Sequence, residues 1–233
     1  MKIIVLSKVY RYLIASSLII ATLFLVDNLY VSLADNQEIK PIFHGNVEQN
    51  KVAFVCNVFW GEEFLPDMLK TLEDNNVHIT FFIGGTWAKD NPDLLKNIAE
   101  RGHELANHSY NHPHPNTLSK NQNKEQILKA ETIIQGITGV KTSLYAPPYG
   151  EYNDVVLNTA QELEYKTIMW SIDTIDWKRP PADIVKSRVL KKIHNGAIVL
   201  MHPTESTQKA LPELLKELHE KGYTITTISD VIK

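Results

Sequence analysis

The chain has a single cysteine, Cys56, among its 233 residues. That excludes an internal disulfide and any cysteine-based zinc cluster, and it leaves metal chemistry to nine histidines. Excess basic charge is also missing. The 24 Lys and Arg stand against 27 Asp and Glu, a formal net charge of −3, which gives no electrostatic reason to expect nucleic acid as a partner. No glycine-rich phosphate loop follows the first apolar strand, where Gly61 stands alone, so a nucleotide-binding fold is disfavoured. Long hydrophobic runs are absent too: the apolar stretch from Tyr12 to Val26 falls short of the ~20 residues that span a bilayer comfortably. What remains is ordinary for a globular protein. With 43% hydrophobic and 22% charged residues the chain can bury a core, and wholesale disorder is excluded.

The N-terminal segment is compositionally foreign to the rest. Lys2, Lys8 and Arg11 precede the apolar stretch, and Asp27 ends it, which is the pattern of a secretory signal. Ser32 and Ala34 supply small residues at the −3 and −1 positions for cleavage before Asp35. An uncleaved anchor extended through Leu29–Leu33 is the alternative, and in both cases the basic flank sends the remainder outside. The expected organisation is therefore a signal peptide or N-terminal membrane anchor over 1–34, a polar linker over 35–50 and one domain over 51–233. The expected location is secreted or membrane-anchored, and extracytoplasmic.

From Lys51 the pattern becomes regular. Strands are expected at Lys51–Asn57, Val77–Ile83, Glu104–Asn107, Ser143–Ala146, Thr167–Trp170, Ala197–Met201 and Tyr223–Thr227. Helices separate them: Glu63–Asn75, a helix capped by Asn91 with Pro92 at its first position and closed by Gly102, one headed by the capping-box pair Ser119 and Gln122 and running to about Ile137, then Asn153–Glu164, Pro181–Ile193 and Thr207–Lys221, which Gly222 ends. Such alternation predicts an α/β fold with a parallel sheet, closed into a (β/α) barrel in preference to an open doubly wound sheet.

The polar residues that look out of place all follow strands. Asn57 follows the first, His108 and His112 the third, Pro147–Gly150 the fourth, Asp173 and Asp176 the fifth and His202 the sixth. In a parallel barrel these strand ends open on one face, where active sites are built. His108 and His112, at i and i+4, are candidate ligands for Zn²⁺, Co²⁺ or Ni²⁺. His202 is a candidate general acid held by Asp173 or Asp176. His114, between Pro113 and Pro115, is expected to cap a turn. Cys56 reads as a small core residue, and His44, His78, His103, His194 and His219 receive no role.

These residues resemble a known family. Gly102-His-Glu-Leu-Ala-Asn-His108-Ser-Tyr-Asn-His112 is similar to the histidine motif of polysaccharide deacetylases with the NodB-homology domain (carbohydrate esterase family 4). Ala146-Pro-Pro-Tyr-Gly150 resembles the groove-wall motif, Ser171-Ile-Asp-Thr-Ile-Asp176-Trp177 the aspartate–tryptophan motif and Leu200-Met-His202 the final one. The resemblance implies a distorted (β/α)₇ barrel of NodB-homology type in a single domain, and metal-dependent removal of acetyl from N-acetylglucosamine units. It implies His108 and His112 as metal ligands, with Zn²⁺ (or Co²⁺/Ni²⁺) as cofactor, and His202 as catalytic acid paired with Asp173. Pro148, Tyr149 and Trp177 would line the substrate groove, with Leu200 beside the acetyl methyl. The implied partner is an N-acetylated polysaccharide such as peptidoglycan. The Asn57–Glu63 stretch resembles the branch of spore-forming bacteria linked to sporulation and cell-wall modification.

The sequence departs from the family pattern at three places, two of them in the first motif. Asn57 stands where the family has an aspartate base, and Val58 or Phe59, depending on spacing, stands where it has a carboxylate ligand. Ala146 replaces the arginine that holds the base. Glu62 and Glu63 lie close enough in sequence to substitute. The leading expectation is an extracytoplasmic N-deacetylase with a weakened metal site. The alternative is a catalytically silent glycan-binding or scaffold protein of the cell envelope. A glycosidase using Asp173 and Asp176 ranks last, because it leaves the histidines unexplained.

Overall fold

The structure is a computed structural model that describes residues 8–34 and 39–233. It divides into two units, residues 1–39 and 40–233. In the first, Lys8–Ala34 is one helix (α1), with Tyr12, Leu13, Leu18 and Phe24 among its exposed side chains. Among the described residues no helix is both long and apolar enough to cross a membrane. Lys2 and the expected cleavage junction at Asp35 lie outside the described residues.

The second unit is a curled, all-parallel sheet with helices outside it. Its strands are β1 (Lys51–Val58), β2 (Thr80–Ile83), β3 (Glu104–Asn107), β4 (Leu144–Tyr145), β5 (Lys166–Thr167), β6 (Ile172–Asp173), β7 (Ile198–Met201) and β8 (Thr224–Thr226). The order β5-β4-β3-β2-β1-β7-β6, with β8 joined to the start of β1, runs monotonically around the sheet, as in a barrel opened at one seam. A doubly wound sheet would reverse its order beside the first strand. The expected distorted (β/α)₇ barrel is therefore the fold.

The segment expected to be a linker is partly built into it. Ile42 forms a parallel bridge with Ile168 and His44 an antiparallel one with Ala197, while Asn46 N–H donates to the Val231 carbonyl. Residues 42–46 thus bond to both sides of the seam. The pairs are isolated bridges, too short to impose a periodicity on the sequence.

The outer layer holds α2 (Leu65–Asp74), α3 (Gly85–Asp90), α4 (Pro92–Glu100), α5 (Lys120–Thr138), α6 (Asp154–Glu162), α7 (Ala182–Leu190), α8 (Glu205–Glu220) and α9 (Ile228–Val231). Ser119 and Gln122 make the expected capping box on α5, and Asn153 and Thr204 cap α6 and α8 through their side chains. Asn91 does not cap α4. Its amide donates back to the Trp87 carbonyl of α3.

Period-two alternation along β1 sorts the core into two layers. Val52, Phe54, Cys56 and Val58 pack outward against Leu65, Met68, Leu69 and Leu72 of α2 and the leucines of α8. Ala53 and Val55 face the barrel interior with Phe82, Ala106, Ala146 and Leu200. Asn57 shares the parity of the interior set. Val58 belongs to the helix side and is fully buried there.

His103, at the end of the sheet remote from the strand C-termini, makes stability pH-dependent. It is buried, its Nδ1 accepts the Ile79 N–H at 3.3 Å, and desolvation, with His78 and Arg101 nearby, lowers its pKa from 6.5 to about 4. The unfolded chain binds that proton first, so this contribution is complete above about pH 6.5 and is lost as pH falls toward 4. His103→Gln should flatten the melting-temperature decline between pH 7 and pH 4 by an amount equivalent to roughly 2–3 kcal/mol. Parallel profiles for the two proteins would refute this.

Candidate functional site

The site lies at the C-terminal ends of the strands. Behind β3, Asn107 holds the turn that carries the histidines: its Oδ1 accepts Ser109 N–H at 2.9 Å and its Nδ2 donates to the Ile127 carbonyl at 2.9 Å. Ser109 and His112 both have positive φ, at 65° and 55°, as do Tyr149 at 59° and Ile175 at 52°. Left-handed non-glycine residues cost of order 1–3 kcal/mol each, and these four of the seven such residues among those described lie in the loops that follow β3, β4 and β6.

His108 is buried, and its Nδ1 donates to the Ala146 carbonyl at 2.7 Å, since a carbonyl can only accept. This fixes the tautomer and leaves Nε2 with its lone pair. Burial, followed by the neighbouring His112, lowers its pKa to about 3, so the ring is neutral. The His112 ring lies 4.9 Å away, centroid to centroid. Its own pKa is also lowered, mainly by burial. Phe59 takes the third side, 4.9 Å from His112.

The carboxylate on His202 is Asp176, where the family pattern implied Asp173. Asp176 is fully buried; Oδ2 accepts the His202 backbone N–H at 2.6 Å and Oδ1 the Nδ1–H at 2.8 Å, while Thr207 Oγ1 donates to Oδ2. Asp173, the last residue of β6, turns Oδ1 to the amide of Ile175 at 2.7 Å instead. The left-handed Ile175 then swings Asp176 in beside the end of β7. Arg188 fixes that loop by donating to the carbonyls of Thr174 and Ile175.

Aromatic rings form the walls. Trp60 lies parallel to His202, 6° from coplanar with centroids 5.8 Å apart. Tyr149 stacks on His114 at 4.1 Å and meets His112 edge-on at 4.5 Å. His114 stands at the head of the turn 115–117, as expected, and caps it through its carbonyl, which accepts Thr117 N–H at 3.1 Å and Thr117 Oγ1–H at 2.8 Å; its Nδ1 pairs with Glu151. Trp177 is half exposed, with Lys178 4.9 Å over its ring.

The cleft between these walls measures about 410 Å³. Asn57, Phe59, His108, His112 and His202 line it together with Asp173, Leu200, Tyr149 and Trp177, so most of the residues singled out from sequence meet there. Pro148 and Ala146 are buried and do not line it. Gly150, from the expected groove-wall segment, lines it too, as do Trp60 and Trp170, which were not foreseen. Only the two-residue alternation past β1 pointed to Phe59 over Val58, and nothing in the sequence singled out Trp170. A larger, shallow groove of about 650 Å³ beside Tyr110 and α5 holds no convergent histidines.

The residues present do not fit a resident zinc, cobalt or nickel ion. A zinc site takes three or more protein ligands. Here two imidazoles face an aromatic ring, and among the described residues no group of three His, Cys, Asp or Glu is placed to hold a metal. Glu62 and Glu63 are exposed on a short 3₁₀ turn and do not line the cavity.

Comparison with known proteins follows the same outline. The family model for polysaccharide deacetylase matches residues 44–168. The chain is 42% identical over 193 residues to the Bacillus subtilis protein YlxY, covering 83% of this chain and 60% of that one, so it spans about three-fifths of that relative's length. It is 32% identical over 196 residues to a peptidoglycan-N-acetylglucosamine deacetylase of Bacillus cereus, covering 82% of this chain and 71% of the other. Among solved structures, a CE4-family pseudoenzyme from Bacillus anthracis superposes with a TM-score of 0.83 at 41% identity, covering 85% of this chain and 71% of that one.

Proposed function

The chain belongs to the polysaccharide deacetylase family, and from that premise we propose that it is an extracytoplasmic protein that binds N-acetylated glycan of the peptidoglycan type in this cleft without hydrolysing it. The family is one of hydrolases, so the proposal concerns what this member has kept. The observation that carries it is the Phe59 ring against His112 where a carboxylate ligand would stand, with the neutral Asn57 in the base position beside it. Aromatic faces at Trp60, Tyr149 and Trp177 suit the apolar faces of sugar rings. The basic and apolar N-terminal segment supports export, and the resemblance of residues 57–63 supports a sporulation setting. The peptidoglycan-acting B. cereus relative and the pseudoenzyme neighbour support the substrate class and the loss of turnover respectively.

A second reading, slow deacetylation, is favoured by the Asp176–His202 pair, which orients an imidazole at the cleft. One experiment separates them. The full chain should retain peptidoglycan in a sedimentation assay equally with and without chelator, and equally in His108→Ala, while releasing no acetate above buffer. Acetate release abolished by chelator would establish the second reading and overturn the first.

A further inference from the structure

Three buried side-chain polar atoms among the described residues have no hydrogen-bond partner: Asn57 Oδ1, Trp87 Nε1 and Thr174 Oγ1. Of these three residues only Asn57 lines the cleft. A buried acceptor left unpaired costs about 1–3 kcal/mol. Nothing beside it supplies the missing donor. His108 has committed its N–H to the Ala146 carbonyl and keeps a bare Nε2, while Phe59 and Leu200 are apolar.

The Phe59 ring is seated deliberately. A Cβ on Gly84 would come within 2.3 Å of Phe59 Cδ2, so the glycine makes room for the ring that faces His112. The floor of the cleft is thus a neutral amide in apolar surroundings, at the place where the family pattern has a charged pair.

Such a floor has a definite chemical preference. The soft χ2 torsion lets Oδ1 face the cleft, where it accepts one N–H from a ligand. A neutral acetamido N–H satisfies it at little desolvation cost. The ammonium of a de-N-acetylated sugar also donates, but an uncharged acceptor beside Phe59 and Leu200 does not offset the loss of its hydration. Asp173, the carboxylate that lines the cleft, already spends Oδ1 on the Ile175 amide. We infer that Asn57 is the specificity-determining residue of this cleft, accepting the acetamido N–H of an N-acetylhexosamine unit and thereby selecting acetylated over de-acetylated glycan. The inference rests on the glycan-binding reading above and adds a direction to it: the site reads the acetyl mark that active relatives remove.

The test uses the full chain with chelator present and the fluorescence of Trp60, Trp170 and Trp177, which line the cleft. The probes are the β-1,4-linked N-acetylglucosamine tetramer and the glucosamine tetramer, at pH 6, where the latter is cationic. Wild type should bind the acetylated tetramer at least about tenfold more tightly. Asn57→Leu, close to isosteric, should bring the two affinities within about threefold, mainly by weakening the acetylated ligand. Asn57→Asp should invert the preference. If Asn57→Leu does not fold, Asn57→Ala removes the same amide without adding branches and is read in the same way. A folded amide-deletion variant that keeps the wild-type ratio overturns the inference. So does a wild-type ratio near one, which leaves glycan binding itself standing. Wild type binding neither tetramer removes the binding reading and this inference with it.

Discussion

The triple variant Asn57→Asp/Phe59→Asp/Ala146→Arg should release acetate from N-acetylglucosamine oligomers at least ~10²-fold faster than the wild-type chain, in a zinc-dependent and chelator-sensitive manner. The argument has two halves. A carboxylate at 59 adds a third protein ligand to His108 and His112 on the side now filled by the Phe59 ring, which is the minimum a catalytic zinc site uses. A carboxylate at 57 restores a general base, a change typically worth 10²–10⁴ in rate. The arginine must come with it. Positions 57 and 146 are 6% and 4% exposed and both face the barrel interior. Asn57→Asp alone therefore leaves a buried charge without a partner and should cost roughly 3 kcal/mol, which Ala146→Arg largely recovers. Acetate release, zinc titration calorimetry and urea unfolding read the three parts separately. A folded triple variant that binds zinc no more tightly than wild type would show that Phe59 does not occupy the ligand position.

Much of this was legible before any coordinates. Strand–helix alternation and the rule that parallel strands open on one face sufficed to gather His108, His112, His202, Asp173 and Trp177 around one cavity. The undecided choice between Val58 and Phe59 yields to parity: alternate residues of β1 face the helices, so Val58 goes out and Phe59 comes back to the cleft. What stayed hidden depends on geometry that no periodicity encodes. The pairing of His202 with Asp176 turns on one left-handed residue, Ile175. The two-residue strand β6 and the bridges at Ile42 and His44 are too short to leave a pattern. Helix α3 begins at a Gly84–Gly85 pair with no side-chain cap, so the sequence carries no start signal for it.

Asp176→Ala should destabilise the folded chain by about 3–5 kcal/mol, whereas Asp173→Ala should cost under about 1 kcal/mol. Sequence treats these two aspartates as near equivalents, three residues apart in one loop, so the contrast isolates what the fold does with them. Asp176 is fully buried and accepts from His202 N–H, His202 Nδ1–H and Thr207 Oγ1; alanine leaves all three donors facing a hole. Two of those donors anchor the residue after β7, and the third lies in the first turn of α8, so the loss propagates to the strand–helix junction beneath the cleft. Asp173 gives up one local bond to Ile175, in a loop that Arg188 still holds through two carbonyls. Urea unfolding of the two alanine variants measures the difference. Glycan affinity should follow the same order, because the ring that Asp176 orients is the one Trp60 lies against, and a His202 free to rotate no longer supports that wall. Equal costs for the two substitutions would mean that His202 is held by something other than this carboxylate, and the catalytic and binding readings of the site would both lose their anchor.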